Sequence, residues 1–172
     1  SFEGKAASAE QMLTALHNSP EVFQVQKNHH ITYRSTTPND PQFNQQWQYI
    51  NMGQNNGTVG ADIDMYLAWD ITTGGLTANG DTIVVCVVDN GLEPGHQDFE
   101  DNTWVNYAEI PNNDIDDDNN GFVDDYFGWN TGSNNDNLNS INGHGTPVAA
   151  IIGAKGNNNR GVAGVNWNVK LM

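Results

Sequence analysis

Apolar positions along the chain cluster into a few short runs, separated by long polar stretches. The clearest run spans Thr82 to Val88, where seven apolar or β-branched residues precede Asp89, Asn90 and Gly91. An unbroken apolar run that ends in turn residues predicts a central strand of a parallel sheet, buried on both faces. A carboxylate just past such a strand lies at the carboxyl edge of the sheet, where open α/β sheets form their active crevices.

The same pattern predicts two helices and a second strand around this run. Small and apolar residues favour a helix from Thr146 to Ala154, with Thr146 suited to the N-cap and Pro147 to the first turn. A shorter helix is predicted over 61–71, and a strand begins at Val169. The chain between Asp89 and residue 141 has no periodic pattern. Loops of that length are usually functional or held by ligands.

Residues 1–35 are predicted to form a separate unit. The stretch from Ser8 to Gln11 fits a capping box, and the helix it starts has Met12, Leu13 and Leu16 on one apolar face. A short strand is predicted over 22–26. A helix and one strand cannot bury a core by themselves. We therefore expect this unit to pack on another body or to be the tail of a larger domain.

Composition narrows the possible functions. The chain has 172 residues, enough for one medium domain, and its 37% apolar content is offset by Asn and Gly, which indicates a loop-rich fold. Its net charge of −15, with six basic residues, argues against nucleic acid as a partner. No apolar run reaches the roughly 18 residues of a membrane span, so no membrane association is expected. Cys86 is predicted to be a small core residue inside the strand.

Asp89 and His144 carry the candidate chemistry. A catalytic triad needs a carboxylate that orients a histidine, and a histidine that takes a proton from a nucleophile. An Asp at a strand end followed by a His at a helix start fits two of these roles, and a helix N-terminus favours the neutral imidazole. Taken singly, Asp89 also suits a turn or cap, and Gly143-His144-Gly145 suits a loop or a metal contact. Their order and contexts together favour the catalytic pair.

These residues lie in segments that resemble a known family. Val87 to Phe99 resembles the aspartate motif of subtilisin-like serine proteases, and Asn142 to Ala149 resembles their histidine motif. Further matches lie at residues 38–41, 46–47, 68–71 and 161–165. The resemblance implies an α/β fold of the subtilisin type with a doubly wound, mostly parallel sheet, of which residues 36–172 form the first half. Residues 1–35 resemble the end of the family's propeptide, which implies a zymogen.

The resemblance implies that Asp89 and His144 are the triad acid and base. Asn90 stands where the family often has Thr or Ser, and Pro147 and Ala150 also depart from its usual residues, but none of these changes removes a catalytic group. The family's nucleophilic Ser and oxyanion-hole Asn lie further along, and residues 1–172 hold no matching candidate. We therefore expect this chain alone to be inactive. Its partners would be the remaining carboxy-terminal part, carrying the Ser, and a protein or peptide substrate.

An Asp-rich segment predicts a calcium site. Asp116, Asp118 and Asn120 alternate before Gly121, which is how a calcium loop begins: alternate oxygens converge and the glycine makes the sharp turn. The distal Glu of an EF-hand is absent, so Asp124 or Asp125 would close the site. Hard oxygen ligands select Ca²⁺ over zinc or copper. The alternative is a solvated acidic turn. The full candidate set is Asp114, Asp116, Asp118, Asn120, Phe122, Asp124 and Asp125.

A second calcium site follows from the resemblance alone. The family's pattern implies ligands at Asp40, at Asp98 and in the loop from Lys155 to Val162. Asn158 would bind through its side chain. The main-chain oxygens of Lys155, Arg160 and Val162 would complete the set.

The expected function is that of a secreted, calcium-stabilised serine endopeptidase. Secretion is expected because calcium sites of this kind fill where calcium is millimolar. One rival is a catalytically inactive calcium-binding scaffold on the same fold. Another is an inhibitor fragment in which residues 1–35 are the active part.

Overall fold

The computed structural model describes residues 9–25, 36–139 and 143–172, and the chain divides into two compact units, 1–33 and 34–172. The first unit contains helix α1 (Ala9–His17). The capping box predicted at Ser8 lies outside the described residues. The strand predicted over 22–26 is wrong for residues 22–25, which are irregular, with Phe23 fully exposed. A strand needs a partner, and the described part of this unit offers none.

Two parallel strands form the sheet of the second unit. Strand β1 (Val84–Val85) pairs with β2 (Lys170–Leu171), with Val84 opposite Lys170. Backbone hydrogen bonds continue this pairing from Ile83 to Val87 along the first segment. On the other side of β2, Thr103 forms a parallel bridge with Leu171. Three chain segments therefore run side by side in parallel, and the first of them delivers Asp89 to the carboxyl edge.

Only one face of β1 packs against the core, and its residues are partly buried, so the prediction of burial on both faces is wrong. Val85 and Val87 pack against a core cluster made by Leu92, Phe99, Ala149, Val169 and Leu171. The alternate residues Val84 and Val88 are 43% and 94% exposed, and Cys86 is exposed as well, against the prediction that it lies in the core. The physical reason is that the segments packed here cover the sheet from one side. Among the described residues, nothing covers the other side.

The helices follow the predictions with shifted ends. Helix α2 (Met65–Trp69) is shorter than the predicted 61–71, and its late start coincides with a left-handed φ of 51° at Asp64. Helix α3 (Gly145–Gly153) starts and ends one residue before the predicted Thr146–Ala154. Short 3-10 helices span Phe43–Gln45, Gln54–Asn56 and Glu100–Asn102. No helix among the described residues is long and apolar enough to cross a bilayer.

An aromatic cluster fixes the segment that starts at residue 36. Trp69 lies at its centre, with ring centroids 5.8 Å from Phe43, 5.4 Å from Tyr49 and 5.0 Å from Trp167. The Gln46 side chain donates to the Ala163 carbonyl at 2.8 Å and accepts from its amide at 2.9 Å. These contacts hold residues 36–51 against the loop that follows α3.

Candidate active site and calcium sites

Asp89 and His144 meet at the carboxyl edge of β1. His144 lies immediately before the first residue of α3, and its Nδ1 is 2.8 Å from Asp89 Oδ1 and 3.0 Å from Oδ2. Because an ionised carboxylate only accepts hydrogen bonds, Nδ1 carries a proton, and in the neutral imidazole Nε2 then keeps a free lone pair. The imidazole is 68% exposed, whereas the Asp89 side chain is 17% exposed. This is the arrangement that a general base needs: one nitrogen fixed by a carboxylate and the other open to a reactant.

The surroundings of Asp89 keep it ionised. The hydrogen bond from His144 lowers the pKa of Asp89, and the backbone amide of Asn90, which donates to Oδ1 at 2.7 Å, lowers it further. A charged Asp89 therefore holds the imidazole and favours its positive charge once a proton has been taken up.

A cleft of about 570 Å³ opens beside this pair and is lined in part by Asp89. Aromatic side chains form much of its wall: Trp104, Phe122, Phe127 and Trp129. A cleft of this size and apolar character can hold the side chain of a peptide.

Comparison with known proteins shows which family the chain belongs to. The sequence profile of the subtilase family matches residues 80–172, which is more than half of the chain and includes both Asp89 and His144. The chain belongs to the subtilase family. Its relatives are subtilisin-like serine proteases, so the resemblance inferred from the motifs is confirmed. The subtilase fold agrees with the parallel pairing of β1 and β2.

Three similar proteins illustrate how much of its relatives' length the chain covers. Subtilisin-like protease 1 of Plasmodium falciparum is 47% identical over 89 residues, which are 51% of this chain and 13% of the relative. An extracellular protease of Xanthomonas campestris is 30% identical over 172 residues, 96% of this chain and 27% of the relative. A solved protease from Pseudoalteromonas arctica is 32% identical with a TM-score of 0.49, covering 80% of this chain and 38% of the other. The chain thus spans between about an eighth and about a quarter of these curated relatives.

The structure brings together the residues of the second predicted calcium site, here called the arm site: Asp40, Asp98 and the loop 155–162. Asp40 Oδ2 accepts from the Asn157 amide at 2.7 Å, and Asp98 Oδ2 accepts from the Val162 amide at 2.8 Å. Asn158 Nδ2 lies 3.5 Å from Asp98 Oδ1, and its own Oδ1 accepts from the Arg160 amide. The Lys155 amide donates to the Asp98 carbonyl at 2.8 Å.

The arm site fits a divalent cation. Asp40 and Asp98 are 5% and 2% exposed, and none of the ion pairs formed by the described residues involves either of them. Asp40 Oδ1 is buried without any hydrogen-bond partner. Burial raises the pKa of Asp40, and the charge of Asp98 adds to the rise. Two buried carboxylates with an orphaned oxygen are costly unless a cation neutralises them, and oxygen donors suit Ca²⁺.

In the Asp-rich loop, residues 106–125, carboxylates organise the backbone and also converge on one point. Asp118 and Asp125 both accept hydrogen bonds from Asn106 Nδ2, at 3.0 and 2.8 Å. One oxygen each of Glu109, Asp118 and Asp125 lie within 4.8 Å of one another, close enough to share a metal ion. Three carboxylates at this spacing form a donor set of the kind that binds Ca²⁺.

The remaining predicted ligands of this loop take other positions. Both oxygens of Asp124 accept backbone amides, from Asn113 and Asp114. It is Asp125 whose carboxylate lies close to those of Glu109 and Asp118. Asp116 accepts from the amides of Asn120 and Gly121. Asn120 Nδ2 donates to both Asp118 and Asp125, and its Oδ1 accepts from the Phe122 amide. The predicted roles of Asp114, Asp116, Asn120, Phe122 and Asp124 as ligands stay predictions.

Sequence reasoning missed three residues that shape these sites. Glu109, 3% exposed, accepts the amides of Asp118 and Asp124 and belongs to the acidic group. Asn106 joins two of its carboxylates. Asn90, treated only as a departure from the family pattern, accepts a hydrogen bond from the Gly145 amide at 3.0 Å. The signal for Glu109 was its place just before the Asp run. No pattern in the sequence pointed to the other two contacts.

Proposed function

We propose that this chain is part of a secreted, calcium-stabilised serine endopeptidase, with Asp89 as the orienting carboxylate and His144 as the general base. The contact of His144 Nδ1 with both oxygens of Asp89 is the observation that carries the proposal. Membership in the subtilase family supports it. The doubly wound sheet of that family would then be completed by the remaining carboxy-terminal part of the protease.

The mechanism follows from the free Nε2 of His144. As a serine hydroxyl of the carboxy-terminal part attacks the scissile carbonyl, Nε2 takes the hydroxyl proton, and the resulting imidazolium is stabilised by Asp89. The imidazolium then gives that proton to the leaving amine, and the C–N bond breaks to leave an acyl-serine. A water molecule, deprotonated by the same nitrogen, attacks the acyl group and releases the acid and the serine. Each proton taken is returned, so the dyad ends as it began.

Calcium would act on stability in this proposal. Asp40 and Asp98 would hold one ion between residues 36–51 and the loop after α3, with Asn158 and the carbonyls of Lys155, Arg160 and Val162 as further donors. Asp118 and Asp125 would hold a second. Bound Ca²⁺ supplies positive charge that offsets the buried carboxylates. Residues 1–35 would be the end of a propeptide, and removing them would activate the protease.

Labelling with a fluorophosphonate tests the catalytic proposal. The full-length protease, in calcium and after removal of residues 1–35, should form a covalent adduct at one serine. Asp89→Asn should lower the rate of peptide hydrolysis by about 10⁴-fold, because the imidazole loses its correct tautomer. Asp136→Asn, an exposed acid changed in the same way, serves as the control and should hydrolyse at the wild-type rate.

A wild-type protease that forms no adduct and cleaves no peptide would overturn the catalytic proposal. The inactive calcium-binding scaffold would then be the better explanation. Unchanged hydrolysis in the Asp89→Asn variant would leave a protease but remove Asp89 from its mechanism.

A further inference from the structure

The side chain of Asn90 joins the end of the β1 segment to the start of α3. Its Oδ1 accepts a hydrogen bond from the backbone amide of Gly145 at 3.0 Å. Gly145 is the first residue of the helix and directly follows His144. The first amides of a helix have no partner inside it, so an outside acceptor is needed at this point. Here that acceptor comes from the residue next to Asp89.

Two more contacts join the same two segments. The Thr146 hydroxyl accepts from the Glu93 amide at 3.0 Å. Gly145 packs so tightly on the loop that an added Cβ would overlap the Gly91 carbonyl oxygen and lie 3.1 Å from Asp89 Cβ. Of these three contacts, that of Asn90 links the two residues that flank the pair: the Gly145 N–H, next to His144, donates to the side-chain oxygen of Asn90, next to Asp89.

The imidazole depends on this backbone for its alignment. It is 68% exposed, and its hydrogen bonds to described residues are those with Asp89. A side chain with so little packing around it takes its position from its own Cα and from its one partner. Asn90 holds both through two separate bonds: its Oδ1 accepts the Gly145 amide, and its own backbone amide donates to Asp89 Oδ1 at 2.7 Å.

We propose that Asn90 is a positioning residue for the Asp89–His144 pair: its backbone amide holds the carboxylate while its Oδ1 holds the Gly145 amide, so that Nδ1 faces Asp89. This inference rests on the proposed protease function and deepens it. It also gives a reason for an amide side chain at this position, since an amide reaches the helix amide and adds no charge beside Asp89.

Two substitutions separate the acceptor from the shape of the side chain. Asn90→Leu keeps the size but removes the acceptor, whereas Asn90→Asp keeps an oxygen for Gly145 and adds a charge. A shift of the base by about 1 Å costs up to about 10²-fold in rate, so Asn90→Leu should lower kcat about 10-fold or more with KM within about 2-fold. Asn90→Asp should keep kcat near wild type. Its extra carboxylate favours the protonated pair, so the acid limb of its pH profile should move to higher pH.

The rates in this test refer only to correctly folded, reactive enzyme, and NMR adds a measurement that does not depend on activity. Rates are expressed per active site titrated with a fluorophosphonate, so misfolded protein does not contribute. Asn44→Leu, at an exposed position of the 3-10 helix Phe43–Gln45, is the matched control and should leave kcat unchanged. In parallel, NMR follows hydrogen exchange at the Gly145 amide and the signal of the His144 Nδ1 proton. In Asn90→Leu the Gly145 amide should lose its protection from exchange, and the Nδ1 proton should lose its signal through faster exchange with water. In Asn90→Asp both the protection and the signal should be kept.

Each outcome decides a different claim. Unchanged exchange at Gly145 and an unchanged Nδ1 signal in Asn90→Leu would overturn the inference. Lost protection together with a wild-type kcat would also overturn it, because the bond would not position the base. A wild-type protein that neither reacts nor cleaves would overturn the proposed function instead. The two NMR signals would then still decide whether Asn90 aligns the pair.

Discussion

Asp40→Asn is expected to change the stability of the protein in opposite directions with and without calcium. The substitution keeps the size of a side chain that is 5% exposed and removes its charge. In the structure, Asp40 Oδ2 accepts from the Asn157 amide, and Oδ1 is buried with no partner. The amide oxygen of the variant can keep the first bond. The negative charge on residue 40, which the negative charge of Asp98 repels, is then gone.

Without calcium, the D40N variant should be the more stable protein. A buried polar group that lacks a partner costs about 1–3 kcal/mol, and a charged group costs more. Removing about 1 kcal/mol of that cost corresponds to a rise in Tm of roughly 2–4 °C for a chain of this size.

The gain depends on pH, because burial raises the pKa of Asp40 above its ordinary value of 3.8. The folded wild type binds more protons than the unfolded chain, so its stability falls as the pH rises through this window, and D40N lacks that fall.

With calcium, the order should reverse. An ion that binds only the folded state stabilises it by about 2.7 kcal/mol at a concentration 100 times its Kd. The wild-type protein should be stabilised by this full amount, which corresponds to a rise of roughly 5–10 °C in Tm. D40N would lack one charged ligand of the proposed arm site, so it should bind calcium more weakly and gain less.

Thermal unfolding in a chelator and in excess Ca²⁺, at a pH well above the raised pKa of Asp40, measures the crossover. Asp136→Asn, an exposed substitution of the same kind, should respond to calcium like wild type. Equal destabilisation of D40N under both conditions would refute the reasoning, because it would mean that Asp40 stabilises the fold through contacts that need no cation.

Three further predictions rest on other contacts. Gly145→Ala should lower kcat/KM by about 10²-fold, because its Cβ would overlap the Gly91 carbonyl oxygen, whereas Gly95→Ala, with open space around it, should be neutral in the same assay. Asp118→Asn should reduce by one the number of calcium ions counted by calorimetry, and an unchanged count would remove the Asp-rich loop as a site. The lowered pKa of Asp89 means that its contribution to stability is present above 3.8 and lost as the pH falls through the lower folded value, so Asp89→Ala should flatten stability against pH in that acid range.

The sequence predicted the positions of β1 and α3 because each is a local signal. A run of β-branched residues and a run of small apolar residues fix those segments without reference to the rest of the chain. What covers a strand depends on distant segments, and so the burial of Cys86 and Val88 was predicted wrongly. An unbroken apolar run looks the same whether one face or two are covered.

In the candidate sites, too, some contacts could be predicted from the sequence and others could not. The pairing of Asp89 with His144 is predicted by the order and local contexts of the two residues and by the family resemblance, and the structure places them in contact. Within the Asp-rich loop, Glu109 and Asn106 bond to Asp118 through their side chains, and no periodic pattern in the sequence records such contacts. Such contacts depend on how a long loop closes on itself.

The two ends of α3 are held by different chemistry, and this separates the roles of calcium and of Asn90. Helix α3, about 13–14 Å long, carries His144 at its start, where neutral contacts from Asn90 and Gly91 hold it. Just past its end, the Lys155 amide donates to the carbonyl of Asp98, an arm-site carboxylate. If calcium occupies the arm site as proposed, its loss would loosen first the end of the helix that lies far from the imidazole. Brief chelation should lower resistance to heat before it changes the rate per titrated active site, whereas Asn90→Leu should lower that rate even in saturating calcium.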